Sequence, residues 1–311
     1  MALFDGWRNP SVKMAWIEMH ACVLLWGFTA IIGKAITLEA FPLVWWRMIL
    51  CIATLALFRG FWRGLVHLSA RRIAAYAGIG ALVAAHWVAF YGSIKLSNAS
   101  AAASCMALAP VFVALLEPVI VRRPFEGREL ILALASIPGV ALVVGGVPVG
   151  MRAGVAIGIV SAAFAGLFGT LNKRMIDATG ALTITGLEMG AGAVTLTLLA
   201  PFWPGAARVF VLPDRHDALL IVVLTVACTL LPFALSLVAM RKLSAFASAL
   251  AVNMEPIYSI LLAILFFHEE RELGLGFYAG LAIIVGAVFS YPRIARRRQI
   301  VTSAKPDPRQ S

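Results

Sequence analysis

Charge is what this chain has least of. Only 13% of its 311 residues are Asp, Glu, Lys or Arg, about half the share usual in a soluble domain, while 61% are hydrophobic. With a mean hydropathy of +0.92, the bulk of the chain cannot be a water-soluble domain. Cysteine is scarce as well. Cys22, Cys51, Cys105 and Cys228 fall inside apolar runs without metal-ligand spacing, which excludes a disulfide framework and leaves each as a small buried hydrophobe. Acids number 15 against 26 Lys and Arg, but the excess is no nucleic-acid surface. The basic residues sit in short loops and in the tail (Arg293, Arg296, Arg297, Arg298), without a stripe of interleaved aromatics. Catalytic signatures are missing too. His268-Glu269-Glu270-Arg271-Glu272 lacks the second histidine of a zinc-protease helix. Gly274-Leu275-Gly276 lacks the third glycine and strand context of a dinucleotide site, and no serine elbow or phosphate loop occurs. Neither a cleavable signal peptide nor a filter-like channel loop is evident. The expectation is an all-α membrane protein with no enzymatic activity, no cofactor, no metal and no nucleic-acid partner.

Long apolar runs are what the chain does have. Crossing about 30 Å of hydrocarbon takes about 20 apolar residues in a helix. On that measure the sequence predicts ten spans: Met14–Ile36, Phe41–Phe58, Ile73–Ile94, Ala99–Val121, Glu129–Gly146, Ala153–Met175, Leu182–Trp203, Ala218–Met240, Leu243–Phe267 and Leu273–Tyr291. They lack the strict alternation of barrel strands. Of the 26 Lys and Arg, Arg47 lies inside a span. Lys34, Lys95, Arg152, Arg208, Arg215 and Arg271 mark one side, and all the others fall on the opposite side or in the termini. That bias predicts both termini in the cytoplasm. Residues 292–311 read as a basic, disordered cytoplasmic tail.

The chain is also written twice. Lys95-Leu96-Ser97, a small-residue stretch and Pro110 recur as Lys242-Leu243-Ser244, a small-residue stretch and Pro256. Gly27 precedes Lys34 as Gly166 precedes Lys173. Residues 14–146 and 153–291 therefore form two five-span repeats. The odd span number turns the second copy upside down relative to the first, the architecture of alternating-access carriers with a midplane site.

Ser97-Asn98-Ala99-Ser100-Ala101-Ala102-Ala103 leading to Ala109-Pro110-Val111-Phe112 resembles the first EamA repeat of the drug/metabolite transporter superfamily. Asn253-Met254-Glu255-Pro256-Ile257-Tyr258 leading to His268-Glu269-Glu270 resembles the second, and Trp26-Gly27, Gly280 and Gly286 fit the same pattern. One departure is visible: the acid ending the second repeat is Glu269, whereas its aligned position in the first is Arg123. The resemblance runs from about Trp16 to Tyr291. It implies ten spans in a bacterial plasma (inner) membrane, and export or exchange of small metabolites, often amino acids.

Ionisable residues inside hydrocarbon are expensive and mark function. Arg47 in the second span and Glu188 in the seventh superpose when the repeats are slid by 141 residues. They would either pair or bind the two ends of a zwitterion, against an even alternative of a purely structural ion pair. Glu255, at the midplane beside Asn253, would bind an amine or a proton. Pro110 and Pro256 break their helices and act as hinges. His86 lines a cavity or carries protons, and Glu117-Pro118 reads as a gate or helix end. Trp26, Phe90, Tyr91, Phe168 and Tyr258 are the aromatics placed to hold a substrate side chain. Gly154/Gly158, Gly186/Gly190 and Gly276/Gly280 mark close helix packing, within a monomer or in a homodimer. A small-molecule substrate and the lipid bilayer are the expected partners. Three cargoes compete: an amino acid with an apolar or aromatic side chain, a sugar phosphate or nucleotide sugar, and a hydrophobic cation. The scarcity of basic residues within the spans favours the first over the second.

Overall fold

The computed structural model describes residues 11–135, 137–252, 254–268, 274–283 and 286. Among these residues every regular element is helical. The helices are α1 (Val12–Ala35), α2 (Ala40–Ala56), α3 (Arg59–Val66), α4 (Ala70–Leu96), α5 (Ala99–Cys105), α6 (Ala109–Ile120), α7 (Gly127–Leu134), α8 (Ile137–Gly146), α9 (Arg152–Met175), α10 (Ala181–Leu199), α11 (Ala206–Val209), α12 (Arg215–Thr225), α13 (Leu231–Ala239), α14 (Ala245–Val252) and α15 (Glu255–Phe267). A further helix begins at 275. Helices prevail because lipid offers no partner for a free N–H or C=O, so each backbone group must be satisfied within its own segment.

Among the described residues, seven stretches are long and apolar enough to cross a membrane unaided, and α2 with α3 makes an eighth if a bend of 87° between them is allowed. The sequence predicts ten spans, whereas seven or eight stretches qualify among the described residues, and the expected spans differ from the helices in three places. The second span is the 17-residue α2, which ends at Ala56 before α3 turns away. The fifth divides into α7 and α8, and the tenth is described over 275–283 and at Gly286. The tail at 292–311 lies outside the described residues.

Polar side chains fix the ends of these apolar rods. Ser11, Asn98 and Asp214 each accept a backbone N–H from the first turn of α1, α5 and α12, satisfying donors that the helix itself leaves open. Arg122 and His268, the residues following spans four and nine, both turn the chain with positive φ, 61° and 53°. Their offset of 146 is that of Pro110 and Pro256, so the fourth span of each repeat ends on the same backbone device.

Packing repeats as the sequence does. α4 runs along α9, and its counterpart α13 runs along α1; α6 against α9 is matched by α15 against α1, and α5 against α15 by α14 against α6. The match reaches single residues. A Cβ on Gly27 would lie 2.7 Å from Cβ of Tyr258, and one on Gly166 the same distance from Cβ of Phe112. Only glycine admits these approaches. Large apolar residues such as Val119, Phe202 and Leu275 stay exposed on the outside of the bundle, where a bilayer covers them.

Candidate substrate cavity

A central cavity of about 150 Å³ opens among α1, α2, α4, α6, α9, α13, α14 and α15. It is lopsided along the bundle. At one end it reaches Met19, Asn172, Met240 and Ala245; toward the other it stops at the level of Arg47, Phe90 and Met106. Its wall is mainly apolar, with Trp26, Trp87, Phe90, Phe168 and Phe233 supplying the aromatic surface. Among the described residues, those that project an ionisable group into this wall are Arg47, Glu255 and His86.

Arg47 is 1% exposed. Its Nε donates to Thr229 Oγ1 at 2.6 Å, Nη1 to the Tyr91 hydroxyl at 2.7 Å, and Nη2 to the Cys228 carbonyl at 3.4 Å. Its Cζ stacks 3.8 Å from the Trp87 ring centre. Every one of these partners is neutral. Glu255 stands in the first turn of α15, just past the break in the ninth span. No ion pair joins Arg47 to Glu255 or to Glu188 among the described residues. The cavity thus carries a buried guanidinium and a buried carboxyl group that line the same space with no ion pair between them, an arrangement that a ligand bearing both charges would complete.

His86 is tethered to α9. Its Nδ1 lies 2.9 Å from the Ser161 carbonyl, and Ser161 Oγ donates back to the His86 carbonyl at 3.0 Å. Nδ1 also lies 2.8 Å from the Ser161 hydroxyl. The ring packs on Phe168 and Phe90, centres 5.3 and 6.2 Å apart.

The other expected site residues fall in different places. Tyr91 stands behind Arg47 rather than on the wall. Glu188 is also a layer back: Asn172, which does reach the cavity, donates to its Oε2 at 3.3 Å, while its Oε1 has no hydrogen-bond partner. Tyr258 packs on Gly27 and stays off the wall. Asn253 lies outside the described residues. Pro110 and Pro256 each occupy the second position of the helix that forms the latter half of a broken span, α6 and α15, where a missing N–H goes unnoticed. Sequence reasoning missed Thr229, Ser248, Thr29 and Asn172, neutral polar groups on the wall. Of these, Ser248 Oγ, Thr29 Oγ1 and Asn172 Oδ1 have no hydrogen-bond partner.

Two carboxylates fasten the ends of the bundle. At one end, Asp217 of α12 accepts the backbone N–H groups of Thr37 and Leu38 and the Thr37 hydroxyl at 2.7–3.1 Å, and Lys95 donates to the Ile36 carbonyl. At the other end, Glu117 of α6 accepts the N–H groups of Ala245 and Phe246 at 2.9 Å, capping α14 across the repeat boundary. Arg123 pairs with Glu117 at 3.0 Å and with Glu129. Burial opposes the charge of Arg123, yet the hydrogen bond to Glu129 and the field of Glu117 outweigh it and hold its pKa above the ordinary value.

Residues 15–145 and 152–291 each match the EamA-like transporter family. The chain belongs to that family, and with it to the drug/metabolite transporter superfamily. No curated protein sequence matches it significantly. A solved structure titled only "Crystal structure of protein" superposes with a TM-score of 0.68 at 18% identity, over 92% of this chain and 99% of that one. At that identity the likeness is one of fold.

Proposed function

We propose that this member of the EamA-like transporter family is a secondary carrier that exports or exchanges amino acids, favouring those with apolar or aromatic side chains. Membership makes it a multi-pass membrane protein that moves small molecules. The narrower reading rests on one observation: the cavity presents Arg47 and Glu255 unpaired with each other inside an aromatic wall. A zwitterion supplies a carboxylate for the first and an ammonium for the second, and its side chain meets Trp26, Trp87, Phe90, Phe168 and Phe233. A phosphate dianion would leave Glu255 opposed to a like charge. In this reading Asn172, held by Glu188, and His86 shape the rest of the site, and Asn253 and Tyr258 belong to the hinge near Glu255. The two repeats are inverted and rock about the cavity, with flexure where Pro110 and Pro256 begin the second halves of their spans. The bias of Lys and Arg supports termini on the cytoplasmic side of a bacterial plasma membrane, so that the lopsided cavity opens inward.

Counterflow in proteoliposomes tests this. Vesicles loaded with mixed amino acids should concentrate external labelled phenylalanine or tryptophan, and Arg47→Ala should abolish it. Accumulation of a nucleotide sugar instead, or of a lipophilic cation with no amino acid uptake, would refute the amino acid reading.

A further inference from the structure

The eighth span is not a plain helix. Between α12 and α13, Val226–Leu230 form a π-helical turn, a form that is rare and occurs mostly as single-turn bulges. Its cause is legible in the residues. Pro232 has no N–H, so the Cys228 carbonyl four residues earlier loses its helical donor. Thr229 spends its single hydroxyl proton on the Leu224 carbonyl at 2.7 Å, which fixes its oxygen as an acceptor. The bulge therefore presents two acceptors side by side, and the Nε and Nη2 edge of Arg47 sits on them. Tyr91 takes one N–H of Nη1, and Trp87 covers a face of the guanidinium. Of the five N–H donors of an arginine, these contacts use three. One remains on each Nη, enough for a two-point bond to a carboxylate. The matching span of the first repeat, α4, contains no proline and runs unbroken for 27 residues, so the device exists on one side only.

We propose that the π-bulge around Pro232, together with Thr229 and Tyr91, is a positioning device that holds Arg47 with two donors free and so sets selectivity for substrates bearing a carboxylate. This rests on the amino acid reading above and names the part of it that recognises the acid end. Thr229 and Tyr91 act through Arg47; neither need touch the substrate.

The test compares two probes in proteoliposomes, phenylalanine and phenethylamine, which differ by the carboxylate. Inhibition of labelled tryptophan counterflow gives the affinity of each. In the wild type phenylalanine should bind better. Thr229→Val and Pro232→Ala should each weaken phenylalanine about tenfold, the worth of one charge-assisted hydrogen bond, while phenethylamine stays within about twofold. Thr229→Ser, which keeps the hydroxyl, should restore phenylalanine. Unfolding is monitored by size-exclusion profile, and Thr229→Ser carries the test if Thr229→Val is not monodisperse: it must then behave as wild type and Tyr91→Phe must weaken phenylalanine selectively. Variants that keep the wild-type ratio of the two probes, or that lose both probes equally, would overturn the positioning role while leaving amino acid transport standing. A wild type that carries no amino acid overturns both.

Discussion

Replacing Glu117 with alanine should destabilise the bundle by about 3 kcal/mol. The carboxylate makes two 2.9 Å bonds to the first amides of α14 and one 3.0 Å bond to Arg123. Glu117 is 1% exposed, whereas the Arg123 side chain is 21% exposed, so the ion pair is partly screened and adds at most about 1 kcal/mol. The two buried amides lose a charged acceptor, at roughly 1–3 kcal/mol each before water at the cavity mouth compensates some of it. Truncated helix caps elsewhere cost about 0.5–2 kcal/mol, which sets the lower bound. A loss near 3 kcal/mol lowers the folded-to-unfolded ratio about a hundredfold. Equilibrium unfolding in mixed micelles measures it. Glu117→Gln, which keeps one acceptor oxygen, should lose roughly half as much, and Arg123→Ala less than about 1 kcal/mol. If Arg123→Ala matched Glu117→Ala, the ion pair and not the cap would be the fastening, and the reasoning would fail.

Gly27→Val should disrupt folding or expression, because even a Cβ there would lie 2.7 Å from Tyr258, whereas Gly78→Ala, with nothing within 4 Å, should stabilise by up to about 1 kcal/mol; thermal melts in detergent compare them. Asp217→Ala removes the acceptor of the Thr37 and Leu38 bonds that fasten one end, so a cysteine at Thr29 in a background lacking the four native cysteines should label faster from the side on which Asp217 lies; unchanged labelling would show that Asp217 is not a gate fastening. Ser161→Ala removes the hydroxyl bond to the His86 carbonyl but keeps the backbone carbonyl of residue 161 against Nδ1, so it should weaken tryptophan counterflow by no more than about twofold, while Ser248→Ala, which removes a buried hydroxyl with no partner, should leave stability within about 0.5 kcal/mol.

The residues that were legible from sequence are those whose burial is expensive. Arg47 and Glu255 declare themselves because charge in hydrocarbon needs a reason, and both stand on the cavity wall. Glu188 declared itself on the same grounds, but cost alone does not say which face a residue occupies, and it sits behind Asn172. Neighbouring aromatics show the same limit. Trp87, Phe90 and Tyr91 are equally apolar, so in a helix that is hydrophobic all round no period separates the two on the wall from the one behind it. Hydroxyls such as Thr229 and Ser248 left little signal, since a lone threonine or serine can bond to its own helix at small expense. Glu117 read as a helix end; that its partner is the start of α14, 128 residues on, is a property of the folded bundle. Pro232 was not singled out, because its effect on Cys228 gains meaning only once Arg47 is brought alongside.

Arg47 and Glu188 are each the eighth residue of their helices, α2 starting at Ala40 and α10 at Ala181, and α2 and α10 pack against each other. Two identical five-span chains arranged about the same axis would have to place the same residue at both positions. Two arginines, or two glutamates, would then share one interior. Joining the copies in a single polypeptide removes that constraint: one position became the cation of the cavity, while the other, a carboxylate, withdrew behind the wall. Covalent fusion is thus what permits a near-symmetric scaffold to carry unlike charged groups at two equivalent positions.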